Sequence, residues 1–268
     1  MPNASIIKAI RQLMPTWQAT DITSIEYLSG GYSNTNYAFN HASCRYVLRI
    51  PQVHQPYVDR VQEAVIYEQL PAGIGIRAIA ASVETGAMIT PWVEGPLLAD
   101  VGDKFSLATL AKYLQRLHTA LPINNRHYDL ERIDTEFWLP ETPPFTAPET
   151  THGNMITCHN DLNPWNIIVT EQGWVTLDWE FVGLNDPLFD VVTLHQGLEL
   201  NTATLNELVA LYFGTEDPSH SLRTSNALRS FWIRELGWAQ FQLQAGNTRE
   251  EIVVQKDKAR SVLAKLDA

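Results

Sequence analysis

A change in hydrophobic patterning near residue 91 restricts the fold of this chain more than any other feature. Before that point, short segments rich in β-branched, aromatic and aliphatic residues predict three strands, at 22–28, 36–40 and 45–50. After it, apolar residues recur at helical spacing between Leu107 and Leu121, with Ser106 as the expected N-cap. We therefore predict an α+β chain in which a small β-rich part precedes a larger, mainly helical part.

The other predicted elements fit this division. A helix is expected at 5–14 and another at 57–70, the second with Val58, Val61 and Val65 on one face. Turn residues predict two hairpins, and several helices are predicted beyond residue 188. The hairpin segments are 77–83 with 87–90, and 166–170 with 174–177.

Two segments read as connections. Residues 139–151 are rich in Pro and Thr, which predicts a surface loop. The Pro- and Gly-bracketed stretch Pro91–Pro96 predicts a lobe boundary. The expected domains are an N-terminal lobe at 1–91, a hinge at 92–96 and a C-terminal lobe at 97–268.

Composition excludes several classes of partner. The chain has 268 residues and a formal net charge of −11, from 30 acidic and 19 basic residues. Such a surface repels phosphate backbones and anionic lipid, so neither nucleic acid nor a membrane is an expected partner, whereas a cationic substrate is compatible with it. The two cysteines form no disulfide framework or metal-ligand spacing, and the first residues do not have the pattern of a signal peptide. We expect a cytoplasmic protein whose oligomeric state the sequence leaves open.

The strongest chemical signal is the pattern H-x-D-x-x-x-x-N at His159–Asn166, followed by a predicted hairpin and Asp178. Phosphoryl transfer needs one carboxylate at the attacking hydroxyl, and separate oxygen ligands that hold Mg²⁺ on the phosphates. Asp161 fits the first role as catalytic base, and Asn166 with Asp178 fits the second. His159 is expected to brace the loop by hydrogen bonds rather than to carry a proton.

A second signal is the glycine-containing turn at 29–34, between the first two predicted strands. Glycines allow backbone N–H groups to approach phosphates closely, which makes this turn a candidate nucleotide contact. The candidate residues are Gly30, Gly31, Ser33 and Asn34. The chain contains no P-loop pattern and no dinucleotide-binding G-x-G-x-x-G.

Taken in order, several stretches resemble the aminoglycoside phosphotransferase and choline kinase superfamily. They are YLSGGYSNTNY, YVLRIP, a helix with Glu63-Ala64, PWVEGPL, LQRLH, HNDLNPWN and TLDWE. The resemblance covers about residues 20–245 and implies the two-lobed protein-kinase-like fold with ATP and Mg²⁺ as cofactors. Within it, SNTNY and YVLRIP are most similar to bacterial choline kinase-like proteins, and the C-terminal part is similar to bacterial thiamine kinase.

The resemblance also implies roles for single residues. Arg49 stands where most of the superfamily has a phosphate-contacting lysine, and it keeps the positive charge. Its partner acid is implied to be Glu63, although a helical wheel places Glu68 nearer the valine face. Trp92 and Val93 would belong to the hinge whose backbone pairs with adenine.

The acceptor is predicted from aromatic residues. Trp232 and Trp238 lie in a segment rich in aromatic side chains, and Glu180 follows the Asp178 motif. Aromatic faces and carboxylates attract organic cations, so these three residues are the expected acceptor contacts. Aromatic residues at helical spacing are also ordinary core residues, and Glu180 is equally well read as a structural acid or an outer magnesium contact.

The sequence thus predicts a kinase that transfers the ATP γ-phosphate to a small cationic alcohol. Choline or ethanolamine leads, thiamine is the first alternative and an aminoglycoside the second. A protein kinase is not expected, because D-F-G is absent and too little sequence follows Asp178 for an activation segment and a full peptide-binding lobe. A catalytically silent protein that binds a nucleotide or metabolite is the alternative from another class.

Overall fold

The computed structural model describes residues 2–29, 33–52, 55, 57–130 and 155–266. Within this part, the chain packs into two compact units. The first unit comprises 1–98 and 166–180, and the second comprises 99–165 and 181–268. The predicted functional lobes with a hinge at 92–96 stay a prediction.

A five-stranded antiparallel sheet in the order β1-β2-β3-β5-β4 forms the centre of the first unit. Its strands are β1 (Ile22–Leu28), β2 (Asn34–His41), β3 (Cys44–Pro51), β4 (Ala80–Ala81) and β5 (Met88–Pro91). Helix α1 (Pro2–Leu13) contributes Ile6 and Ile10 to a core with Phe39, Leu48 and Ile89. The predicted strands and the opening helix are confirmed, while β4 is shorter than expected.

Helix α2 (Arg60–Gln69) corrects the predicted valine face. Val61 and Val65 are exposed, and the buried residues are Glu63, Ile66 and Tyr67. Asp59 caps the helix by accepting from two backbone N–H groups. The helix therefore buries the Glu63 carboxylate. Burying a charged group costs free energy unless a partner offsets the lost hydration.

The predicted hairpin near residue 170 is present as β7 (Ile167–Thr170) and β8 (Gly173–Thr176). The backbone N–H of Val169 donates to the Pro96 carbonyl at 2.9 Å. Beside this contact, Gly95 has φ +150°, and a Cβ there would lie 2.2 Å from the Val169 carbonyl oxygen. Only glycine fits at this close approach of the two backbone segments, and the contact packs the hairpin against the rest of the first unit.

The second unit consists mainly of helices. They are α3 (Leu98–Val101, which begins at the end of the first unit), α4 (Leu107–Ala120), α5 (Leu188–Gly197), α6 (Leu205–Phe213), α7 (Pro218–Gln244) and α8 (Glu250–Leu266). Ser106 caps α4 as predicted. Helix α4 packs against α6, α5 against α7, and α7 along α8.

Two short strands, β6 (Ile156–Cys158) and β9 (Gly183–Asn185), pair in an antiparallel manner next to the H-x-D loop. The predicted loop at 139–151 lies outside the described residues. No helix in the described part of the chain is both long and apolar enough to cross a membrane.

Candidate active site

In the first unit, Arg49 of β3 lies between two carboxylates. Its Nη1 is 2.6 Å from Glu63 Oε1 and 3.0 Å from Asp178 Oδ1, and Nη2 donates to the Gly86 carbonyl at 3.3 Å. Glu63 is 2 % exposed, whereas Glu68 is an exposed residue of the same helix. The partner of Arg49 is therefore Glu63, and the alternative left open by the helical wheel is decided.

Glu63 is shared by two guanidinium groups. Arg60, one turn earlier on α2, places Nη1 2.7 Å from Glu63 Oε2. Burial alone would raise the pKa of Glu63, but Arg49 and Arg60 outweigh it and hold that pKa below its usual value. Sequence reasoning missed Arg60, although its i,i+3 spacing to Glu63 was a visible signal.

Glu180 belongs to the same network. It is 3 % exposed, lies 3.1 Å from Arg60 Nη1 and accepts from Gln55 Nε2 at 3.3 Å. Burial, reinforced by the charge of Asp178, raises the pKa of Glu180 to about 8. Its contacts are those of a buried anchor, the structural reading that the sequence also allowed, rather than those of an open acceptor contact.

The two predicted magnesium ligands also lie in the first unit. The Asn166 carbonyl accepts from the Leu177 N–H at 2.8 Å, and Asp178 follows directly with φ +58°. A left-handed conformation at a non-glycine residue costs free energy, and such strain is concentrated at functional sites. The Asp178 carboxylate and the Asn166 amide are hard oxygen donors, so this pair fits Mg²⁺ in chemistry.

The glycine turn is only partly described. Gly30 and Gly31 lie outside the described residues, while Ser33 accepts from the Gln52 N–H at 3.0 Å through its carbonyl. Asn34 begins β2 and is 5 % exposed. In the described chain, nothing hydrogen-bonds to its buried Oδ1, which keeps Asn34 a candidate for contact with a ligand.

Trp92 and Val93 follow β5 and are half-buried. The Trp92 N–H donates to the Arg45 carbonyl at 3.0 Å, and its indole Nε1 donates to Glu94 at 2.8 Å. The Arg45 guanidinium lies 4.1 Å from the Trp92 ring centroid. These contacts fix the connector, while pairing with adenine stays a prediction.

In the second unit, the loop that presents Asp161 is braced by neighbouring backbone and side-chain groups. The Asp161 N–H donates to His159 Nδ1 at 3.2 Å, so His159 acts as the predicted brace. Asn160 between them has φ +64°, and its side-chain amide donates to the carbonyls of Phe181 and Gly183. The strained backbone of Asn160 is thus held in place by hydrogen bonds that its own side chain donates to these carbonyls.

Asp190 anchors the same loop from α5. Its carboxylate accepts from the backbone N–H groups of His159 and Asn160, both at 2.8 Å, and from His118 Nε2 at 3.0 Å. Burial alone would raise its pKa, but the bond to His118 and the nearby His159 hold that pKa below its usual value. Asp190 lies in the first turn of α5, and no sequence pattern indicated its anchoring contacts.

Arg234 of α7 is a residue that no sequence pattern singled out. Its Nη1 donates to Asp161 Oδ1 at 2.9 Å and to the Asn160 carbonyl at 2.8 Å, and Nη2 donates to Glu235 at 2.6 Å. The one available signal was a charged pair within the apolar stretch FWIREL. A charged pair in such a setting is retained when it is internally satisfied.

The predicted aromatic acceptor residues lie on α7. Trp232 is 3 % exposed, and the Lys258 Nζ lies 5.8 Å from its ring centroid. Trp238 is half-buried. Burial makes Trp232 a core residue in this structure, so the half-buried Trp238 is the better placed of the two for a ligand.

Comparison with known proteins gives concordant matches. The model of the phosphotransferase enzyme family matches residues 24–219. Protein LicA of Haemophilus influenzae is 26 % identical over 214 residues, which span 71 % of this chain and 63 % of LicA, less than two thirds of that relative.

Two solved structures share the fold along nearly the whole chain. The choline kinase LicA from Streptococcus pneumoniae has a TM-score of 0.76 at 20 % identity and covers 97 % of this chain and 98 % of its own. A choline/ethanolamine kinase family protein from Mesorhizobium loti has a TM-score of 0.73 at 22 % identity, covering 99 % and 95 %. The predicted protein-kinase-like fold is confirmed.

Proposed function

Because the chain belongs to the phosphotransferase enzyme family, we propose that it transfers the γ-phosphate of ATP to a hydroxyl group of a small cationic alcohol, choline or ethanolamine first. The observation that carries this proposal is the placement of Arg49 between Glu63 and Asp178. A cation held by a buried acid and next to a metal-binding acid is the arrangement that phosphoryl transfer requires on its nucleotide side.

On the nucleotide side, Arg49 would contact phosphate oxygens, and Glu63 would fix its orientation. The turn residues Gly30, Gly31, Ser33 and Asn34 would cover the phosphates, and the backbone at Trp92 and Val93 would receive the adenine. Asn166 and Asp178 would hold Mg²⁺, which supplies charge neutralisation at the phosphates when bound.

On the acceptor side, Asp161 would orient the attacking hydroxyl and accept its proton. The acceptor oxygen forms a bond to the γ-phosphorus, the bond from that phosphorus to the β,γ-bridging oxygen breaks, and ADP leaves with the electron pair. Since the transition state is loose, the proton moves late, and the main task of Asp161 is orientation. The braced loop is suited to this task, because small displacements of a reacting group are costly.

A cationic acceptor is supported by charge and by the relatives. The net charge of −11 favours cations near the surface, and the similar solved structures are named as choline or choline/ethanolamine kinases. Thiamine is the next candidate, since Trp238 offers a half-buried ring to an aromatic cation. An aminoglycoside ranks below both. A cytoplasmic location is proposed as well, and the two free cysteines are consistent with it.

The test is ADP release from Mg-ATP with choline, ethanolamine, thiamine and kanamycin as separate acceptors. Stimulation by one acceptor in the wild type, and its loss by about 10²- to 10⁴-fold in Asp161→Asn, would establish the kinase. The variant should bind Mg-ATP with unchanged affinity.

Two variants control for the nucleotide side. Asp178→Ala should weaken Mg-ATP binding as well as turnover, and Arg49→Ala should chiefly raise the KM for ATP. Mg-ATP binding without stimulation by any acceptor would instead favour a protein that binds a nucleotide without transferring its phosphate.

A further inference from the structure

Arg234 occupies an unusual position for a charged residue. It lies in the middle of the 27-residue helix α7, is 9 % exposed, and has the rings of Phe189 and Phe231 at 5.8 and 5.9 Å from its guanidinium carbon. A buried cation is retained only where partners offset the loss of hydration. The partners of the Arg234 guanidinium therefore indicate why a cation is retained at this buried position.

Two of the contacts of Arg234 are made to consecutive residues of the loop, Asn160 and Asp161. Nη1 donates both to the Asp161 carboxylate and to the carbonyl of Asn160, the residue with φ +64°. The same group thus holds the side chain of Asp161 and the backbone directly before it. A planar guanidinium can do this because its donors have fixed directions.

The remaining contact fixes the arginine itself. Glu235 accepts from Arg234 Nη2 through Oε1 and from Gln255 Nε2 of α8 through Oε2, at 2.7 Å. Burial would lower the pKa of Arg234, but the carboxylates of Asp161 and Glu235 outweigh it and raise that pKa. The guanidinium is therefore cationic at every pH at which the enzyme would work.

We propose that Arg234 is a positioning residue for the phosphotransfer step, which sets the orientation and the charge of the Asp161 carboxylate from helix α7. This inference rests on the proposed role of Asp161 as the base. Arg234 acts through Asp161, so its loss should lower kcat more than it raises the KM for ATP. It also favours the ionised carboxylate, the form that can accept a proton.

Other charged and titratable groups adjoin the pair of Arg234 and Asp161. Helix α7 contributes Arg234 and Glu235, the loop contributes His159 at the Asp161 N–H, and Tyr128 acts on Arg234 electrostatically. Removing the guanidinium takes away a cation that directly contacts the Asp161 carboxylate. An opposite charge at such a distance lowers a carboxyl pKa by about 1–3 units, so its removal should raise that of Asp161 by a similar amount.

The decisive experiment titrates Asp161 directly and requires no acceptor. Protein labelled with ¹³C at the aspartate side-chain carboxyl carbon is titrated in wild-type, Arg234→Met and Arg234→Lys forms, and the Asp161 signal is assigned by its absence from Asp161→Asn. The midpoint should move to higher pH by about 1 unit or more in Arg234→Met and by less in Arg234→Lys, which keeps a cation nearby. Unchanged midpoints in the two Arg234 variants would overturn the proposal.

Kinetics with the acceptor that stimulates the wild type give the second readout. Arg234→Met should lower kcat by about 10²-fold with little change in the KM for ATP, and the acid limb of kcat should move with the titration midpoint. Arg260→Gln, at an exposed position of α8, is the control and should match the wild type. A proportional loss in both Arg234 variants without a shifted acid limb would indicate a structural role and overturn the proposal.

Two further comparisons keep the result interpretable. If Arg234→Met does not fold, Arg234→Lys carries the titration, and a midpoint equal to that of the wild type would overturn the proposal. A wild type that no acceptor stimulates would contradict the proposed function alone, since the titration shift does not depend on turnover.

Discussion

The two units each bury a carboxylate that supports a predicted site residue, and they offset the cost of burial differently. Glu63 in the first unit is neutralised by two guanidinium groups, Arg49 and Arg60. Asp190 in the second unit accepts from two backbone N–H groups and from His118. One carboxylate is compensated mainly by charge and the other mainly by hydrogen bonds.

This difference determines what each network touches. Arg49, the partner of Glu63, also contacts Asp178, so the first network includes a predicted metal ligand directly. Asp190 holds the backbone before Asp161, while a different residue, Arg234, holds the Asp161 side chain. We infer that stability and nucleotide binding are coupled in the first unit. In the second unit, we infer that the stability of the loop depends on Asp190, whereas the orientation of the predicted base Asp161 depends on Arg234.

The largest expected effect is on stability in the second unit. Asp190→Ala would leave the buried N–H groups of His159 and Asn160 without their acceptor, and it should lower the free energy of unfolding by about 3–5 kcal/mol. Urea unfolding followed by circular dichroism measures this loss. Asp190→Asn keeps one acceptor oxygen and should lose less. A loss in the alanine variant below about 1 kcal/mol would mean that water or other groups replace the anchor.

The second effect combines stability with binding in the first unit. Glu63→Gln leaves two adjacent guanidinium groups with one carboxylate fewer, which should cost about 2–4 kcal/mol and weaken Mg-ATP binding by about tenfold. Glu68→Gln, exposed on the same helix, should stay within about 0.5 kcal/mol and bind Mg-ATP normally. Calorimetric titration and urea unfolding of the pair test the coupling. Lost stability with unchanged nucleotide affinity would disprove it.

Local patterns predicted the elements of both units well. Strand β1 and helix α4 lie where hydrophobic spacing and the Ser106 cap placed them, because these signals arise from residues close in sequence. The valine face of α2 was wrong for a related reason. Which side of a short helix is buried depends on what it meets, and here Glu63 meets Arg49 from a distant strand.

The same limit applies to the candidate site. The predicted base Asp161 and the predicted metal ligand Asp178 stand in one recognisable sequence pattern, whereas the residues that hold them do not. Arg234 lies 73 positions from Asp161, and Arg60 lies 120 positions from Glu180. Side-chain contacts over such separations follow from the packing of whole elements, and a single sequence carries no pattern for them.

The pH dependence of stability should distinguish the networks with a smaller effect. The pKa of Glu180 is raised from 4.5 to about 8 in the folded state. Between these values the folded protein keeps a proton that the unfolded chain releases, so this group makes stability fall as pH rises, by at most about 1.4 kcal/mol per pH unit. Asp190, whose pKa is lowered, contributes no slope in this window, because both states are then ionised.

Glu180→Gln isolates that contribution. Urea unfolding at several pH values between about 5 and 8 should show a flatter dependence in the variant than in the wild type, since glutamine does not titrate. All other groups titrate in both proteins, so the difference between the two curves belongs to Glu180 and its immediate partners. Parallel curves would show that Arg60 keeps Glu180 ionised throughout the range.

The smallest effect compares two helix caps of similar strength. Asp59 accepts from the N–H groups of Val61 and Gln62 at the start of α2, and Ser106 accepts from the Thr109 N–H at the start of α4. Replacing either residue by Ala should cost about 1 kcal/mol. Only α2 carries Arg60 and Glu63 in its first turn, so only Asp59→Ala should also weaken Mg-ATP binding, by a few-fold. Equal effects of both caps on nucleotide affinity would mean that general loosening, and not the orientation of Glu63, governs binding in the first unit.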